Sequence, residues 1–176
     1  MQTFSVNTSN LNSIIDKVRV GDKILLSGTV YTARDAAHKR ICKLLDENLP
    51  IPFKVKGATI YYAGPTNAPS NLPIGSCGPT TSTRMDAYAP RLLDLGLTCM
   101  IGKGQRSKDV CDAIIRNKAL YLCAIGGAGA LAAKHIKSCE IIAFEDLGCE
   151  SVKKLEFVDF PLIVAIDPNG NNIYNR

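Results

Sequence analysis

Along the chain the apolar positions change period several times, and each change marks an element. Residues 23–34, KILLSGTVYTAR, alternate apolar and polar and are rich in β-branched side chains, so they read as a strand. From Asp35 the period becomes helical, with Ala37, Ile41, Leu44 and Leu45 on one face. Asp35 is expected as the N-cap, and Pro50 and Pro52 as the stop. ATIYYAG, residues 58–64, is a second strand. A loop rich in proline, glycine and serine follows, too long to be a simple connection, and loops of that kind are usually functional or disordered.

The loop ends in GSCGPTTSTRMD, residues 75–86, which has almost no hydrocarbon to bury. Thr83-x-x-Asp86 resembles a capping box with Asp in the last place, opening a short helix interrupted at Pro90. TCMIG is a strand, GKGQRS a turn, and Ser107 opens a helix with Val110, Ala113, Ile114 and Asn117 on one stripe. ALYLCAI is continuously apolar, as a strand buried on both faces would be. The pattern then repeats with a glycine turn, GGAG, a helix of small residues to about Lys137, and a strand, CEIIAFE. The tail reads as strands, the last two joined by a turn at Asp167 to Gly170. Strands alternating with helices, then a β-rich tail, give an α/β fold with a mixed sheet, a single domain over residues 1–176.

Composition removes several function classes. With 46% hydrophobic and 21% charged residues the chain belongs with globular proteins. The N-terminal stretch lacks the basic and apolar regions of a signal peptide, and no apolar run approaches a membrane span, so the expectation is a cytoplasmic protein without a membrane partner. Seven cysteines are an odd set without a CxxC pair, which speaks for reduced thiols and against a metal held by this chain. The net charge of +5 suggests an anionic partner. Because the basic residues are scattered and tryptophan is absent, a small anion suits the pattern better than a nucleic acid.

Three segments could carry chemistry. Gly127-x-Gly129-x-x-Ala132, with Glu145 beyond, satisfies the dinucleotide fingerprint on paper, but too little α/β sequence follows it to complete a nucleotide site. Lys103, between two glycines, has no bulky neighbour and could enter a site; the spacing there does not make a triphosphate loop. Thr80, Thr81, Ser82 and Thr83 cluster where a helix begins, and Arg84 adds a forked cation, which together describe a carboxylate receptor. Arg34 stands at a strand-to-helix junction, a common place for a ligand-facing residue, with His38 one turn on.

In their order, GTVYTARDAAHKRI, YYAGPT, GSCGPTTSTRMD, IGKG, AIGGAGAL and EDLGCESVKKLEFVDFPLIVAIDPNGNNIY resemble the β subunit, or C-terminal region, of the class I fumarase and tartrate dehydratase family of iron–sulfur hydro-lyases. The resemblance implies a swivelling β/β/α domain that closes over a four-iron, four-sulfur (4Fe–4S) cluster ligated by a partner α subunit. Such enzymes interconvert fumarate and malate, or tartrate and oxaloacetate, with one iron acting as Lewis acid on the substrate hydroxyl. It places Arg34, Arg84 and Lys103 around the carboxylates of a small dicarboxylate substrate, with Thr80 as a hydrogen-bonding neighbour. Thr81 corresponds to the proton-abstracting threonine, Lys103 is the rival base, and His38 and Asp86 stand behind these residues. Nothing in the sequence corresponds to the cluster-bearing half, so the chain alone is expected to be inactive. A non-catalytic anion- or protein-binding module and an NAD-binding protein are the readings from other classes.

Overall fold

The computed structural model describes residues 1–124 and 129–175. Seven strands and four α-helices are found among them: β1 (Thr3–Asn7), β2 (Lys23–Thr32), α1 (Asp35–Asp46), β3 (Thr59–Tyr61), α2 (Ala89–Asp94), β4 (Cys99–Gly102), α3 (Lys108–Asn117), β5 (Leu120–Cys123), α4 (Gly129–Lys134), β6 (Ile136–Ala143) and β7 (Val152–Ile166). The sheet order is β1-β2-β3-β4-β5-β7-β6, and a further pairing of β2 with β7 closes it. β2, β3, β4 and β5 run parallel, and β7 is antiparallel to β2, β5 and β6. The fold is therefore α/β on a mixed, closed sheet.

Strand periodicity sorts side chains between two cores. Tyr61, Cys99, Ile101, Leu120 and Leu122 face inward against Ile24, Leu26, Phe157 and Val164 of the closing strands. Their neighbours Ile60, Tyr62, Met100 and Tyr121 face the other way, beneath Ala37 and Ile41 of α1, Leu92 and Leu93 of α2, and Val110, Ala113 and Ile114 of α3. Both faces of β5 are thus covered, which is why ALYLCAI shows no alternation.

Several boundaries differ from the expected ones. Arg34, in an extended conformation, is the N-cap of α1, and Asp35 lies in its first turn. That helix ends at Asp46, well before Pro50, because Asn48 turns the chain at a left-handed φ of 53°. Pro90 begins α2 rather than interrupting it, since a proline in the first turn forfeits no helical bond. The helix before β6 stops at Lys134, and β6 starts at Ile136. The tail is one 15-residue strand through Pro161, not two. Pro161 opposes Leu25 of β2, and on its other edge it lies in the gap between Phe157, the residue paired with the first position of β6, and Ile163, where β5 pairing begins. The turn at Asp167 to Gly170 is present, closed by the Gly170 amide on the Asp167 carbonyl, but only an isolated bridge between Ile166 and Asn172 follows it. No helix among the described residues is long and apolar enough to cross a membrane.

Candidate functional site

The carboxyl ends of parallel strands leave backbone groups without partners, and here β2, β3 and β4 end side by side. β2 runs out into Ala33 and Arg34, β3 into Tyr62, Ala63 and Gly64, and β4 into Lys103. The polar stretch 79–82 is laid across these ends. Pro79 bridges Ala63, the Thr80 amide donates to the Tyr62 carbonyl at 2.7 Å, and Thr81 forms a parallel bridge with Lys103. The Ser82 amide donates to the Lys103 carbonyl at 3.0 Å, while the Lys103 amide donates to Ser82 Oγ at 3.1 Å. A hydroxyl-rich segment without hydrocarbon is therefore what completes the end of the sheet.

Ser82 is fully buried and is the pin of this arrangement. The Tyr121 hydroxyl lies 2.8 Å from both Ser82 Oγ and the Gly104 carbonyl. A carbonyl only accepts, so Tyr121 donates its one proton to Gly104 and takes the proton of Ser82. Gly102 makes room for the serine, since a Cβ there would stand 3.0 Å from the Tyr62 ring and in collision with Ser82 Oγ.

The expected site residues fall as follows. Thr81 is exposed and Thr80 half-buried. Lys103 is half-buried and enters no ion pair among the described residues. Arg84 is half-exposed and holds Asp35 with two nitrogens, Nε to Oδ1 at 3.1 Å and Nη2 to Oδ2 at 2.7 Å. Arg34 Nε meets Glu150 Oε1 at 3.2 Å. The structure thus gathers Arg34, Thr80, Thr81, Arg84 and Lys103 at one end of the sheet.

The helix expected from Thr83 is a single 3₁₀ turn, Ser82–Met85, and no capping box forms. Asp86 is engaged elsewhere: its Oδ1 accepts from Arg106 Nε at 2.7 Å and its Oδ2 from the Ser107 amide at 2.6 Å. With the Ser82 amide spent on Lys103, the carboxylate receptor expected from the sequence would have to be made of side chains more than of free helix-end amides. Arg106, which the sequence did not single out, has a fully buried side chain. Its guanidinium carbon lies 5.2 Å from the Tyr62 ring centre and 4.9 Å from that of Tyr121.

His38 is also fully buried, edge-on to Tyr62 and stacked on Tyr88. Its Nδ1 is 2.9 Å from the Arg34 carbonyl, which fixes the proton on Nδ1 and leaves Nε2 without a partner. Burial pushes its pKa down to about 4, only partly offset by the bond to Arg34. A neutral imidazole behind the site, bonded to the backbone of Arg34, orders the start of α1 and does not face the cleft chemistry directly.

Gly127 of the dinucleotide fingerprint lies outside the described residues. Gly129 and Ala132 are in α4, whose start packs against the polar loop: the Cys77 amide donates to the Gly129 carbonyl at 3.0 Å, and a Cβ on Gly129 would stand 3.0 Å from the Gly78 nitrogen. The described part of the glycine turn thus serves close packing. All seven cysteines are free, and no three His, Cys, Asp or Glu side chains among the described residues come together as a metal site.

Residues 1–176 match the family model described as Fumarase C-terminus. The chain is 40% identical over 185 residues to fumarate hydratase 2 of Leishmania major, covering 100% of this chain and 32% of that protein. It is 40% identical over 159 residues to the anaerobic class I fumarate hydratase of Escherichia coli strain K12, covering 89% of this chain and 29% of that protein. It is also 39% identical over 168 residues to the putative L(+)-tartrate dehydratase subunit beta of Methanocaldococcus jannaschii, covering 92% of this chain and 86% of that protein. The chain thus spans about a third of the fumarate hydratases but most of the tartrate dehydratase subunit.

Proposed function

Because the chain belongs to the Fumarase C-terminus family, we propose that it is the β component of an iron–sulfur hydro-lyase that interconverts fumarate and malate. The observation that carries this reading is the convergence of Arg34, Arg84, Lys103, Thr80 and Thr81 at the ends of three neighbouring parallel strands. A four-carbon dicarboxylate brings two negative charges, and the two guanidiniums and the ammonium answer them. Removal of the carbon-bound proton places further charge on the adjacent carboxylate, which fixed cations stabilise without reorganising. Thr81 takes that proton. An alcohol is a poor base alone, and the cations around Thr81 are what bring its alkoxide within reach.

The described residues form no cluster site of their own. In this proposal the iron–sulfur cluster belongs to a partner polypeptide corresponding to the part of the fumarate hydratases that this chain does not span. Free thiols suit the reducing cytoplasm in which such an enzyme would work.

Tartrate dehydration is the second reading, favoured by one observation. Separate subunits beta of L(+)-tartrate dehydratases match this chain over 86% and 80% of their length, with identities of 39% and 34%. Anaerobic purification of the tagged chain from its native host, followed by assays of fumarate hydration and tartrate dehydration, tests both. Activity on fumarate accompanying a larger, brown partner is the expected result. Activity on tartrate alone would replace the substrate. A colourless, partner-free and inactive eluate from cells whose lysate hydrates fumarate would leave a binding module.

A further inference from the structure

Arg34 is the N-cap of α1, yet its side chain makes no capping bond. It lies instead across Gly64, where a Cβ would stand 2.7 Å from Nη1, 3.1 Å from Cδ and 3.2 Å from the Cys149 carbonyl. With no Cβ, Gly64 leaves room for the arginine to lie in this position. The Glu150 carboxylate, 3.2 Å from Nε, is its acidic partner, and the two side chains are 20% and 23% exposed. No other described group takes the Nε proton, and the contact is a charge pairing without hydrogen-bond alignment.

Glu150 stands 116 residues away in sequence, and the structure spends several bonds on bringing it there. Lys153 Nζ donates to Ser151 Oγ at 2.6 Å and lies 3.2 Å from the carbonyls of both Gly148 and Cys149, which accounts for the three ammonium protons. Thr32 Oγ1 accepts from the Lys153 amide at 3.0 Å and donates to the Ser151 carbonyl at 3.3 Å. The segment carrying Glu150 is therefore tied to the last residue of β2, two positions before Arg34. The circuit Thr32, Ser151, Glu150, Arg34 closes on itself.

We propose that Glu150 is the positioning residue of Arg34: its carboxylate engages the Nε side of the guanidinium and so leaves the two terminal nitrogens for a substrate carboxylate. Lys153 acts one step further back, by holding the backbone of residues 148–151. The inference rests on the assignment of Arg34 to substrate binding, so its test needs a readout that does not depend on the reaction.

Glu150→Gln keeps size and shape while removing the charge, and Glu150→Asp keeps the charge at a shorter reach. In the assembled enzyme, Glu150→Gln is expected to raise KM about tenfold with a smaller change in kcat and an unchanged melting temperature, while Glu150→Asp recovers part of the loss. Wild-type KM in Glu150→Gln, or loss of KM and melting temperature together, overturns the proposal. The second readout is the Arg34 Nε–H resonance of the full chain, assigned by its disappearance in Arg34→Lys. Its solvent exchange should quicken at least several-fold in Glu150→Gln and less in Glu150→Asp. An unchanged resonance overturns the proposal, whichever reaction the enzyme performs. A wild-type complex inactive on both substrates would instead overturn the functional reading and leave the resonance test standing.

Discussion

Thr81 and Lys103 are partners in a single parallel bridge, outside any longer strand pairing. Residues opposed in a bridge carry their side chains to the same side, so the hydroxyl and the amine proposed as rival bases start from neighbouring backbone positions. Geometry therefore does not choose between them, but their other surroundings differ. Thr81 is exposed at the sheet end, whereas Lys103 is half-buried and serves as a carboxylate-binding cation in the proposed function.

This difference gives a prediction with opposite kinetic signatures. Thr81→Ala should lower kcat by two orders of magnitude or more with little change in KM, as the loss of a proton acceptor does. Lys103→Met should act mainly on KM by removing a carboxylate partner. Steady-state rates on the assembled enzyme decide; near-normal kcat in Thr81→Ala passes the base role to Lys103.

Gly102 is expected to be intolerant of the smallest substitution. An alanine Cβ would occupy the place of Ser82 Oγ, and Ser82 cannot retreat because Tyr121 and the Lys103 amide hold it. Gly102→Ala should displace residues 81–83 and depress activity at least tenfold while the α3 and barrel cores stay intact. Retained activity with an unchanged amide spectrum for residues 80–84 would mean that Ser82 is not the pin described above.

Asp86 and Arg106 form a pair that is stabilising only while complete. Deleting one partner of a buried pair leaves an uncompensated charge, which costs about 3–5 kcal/mol. Arg106 has no exposed side-chain surface, and Asp86 also accepts the Ser107 amide at the start of α3. Asp86→Ala should therefore lower the urea midpoint sharply, and Asp86→Asn by less, because the amide oxygen still accepts. Equal midpoints for Asp86→Ala and wild type would show the pair to be dispensable.

The parts of this site that were legible in the sequence are those built from one segment. The hydroxyl cluster 80–83, Arg34 at its junction and Lys103 between glycines each carry a local signal, and the strand-end architecture follows from the alternation around them. Glu150 carries none. It reaches Arg34 through the closure of β7 onto β2, a pairing between residues more than 100 positions apart, and periodicity says nothing about which strands close a barrel. Arg106 was hidden for another reason: a lone arginine in a polar turn looks solvated until the rings of Tyr62 and Tyr121 are seen on either side of it. The capping box failed because Asp86 had a stronger claim, a charged donor and an amide in place of one amide.

His38 makes stability depend on pH in a definite direction. Its folded-state pKa of about 4 lies below the ordinary 6.5, so between these values the unfolded chain binds a proton that the folded chain refuses. The contribution is fully present above about pH 6.5 and is lost as pH falls towards 4. Its ceiling is about 3 kcal/mol at 1.36 kcal/mol per pH unit. His38→Phe keeps a ring between Tyr62 and Tyr88 and removes the titration, at the cost of the bond to the Arg34 carbonyl. Unfolding midpoints in urea at pH 7.5 and pH 4.5 should therefore differ less in the variant than in the wild type. The same loss of stability in both proteins would assign the acid sensitivity to other groups and would mean that His38 titrates normally in the folded chain.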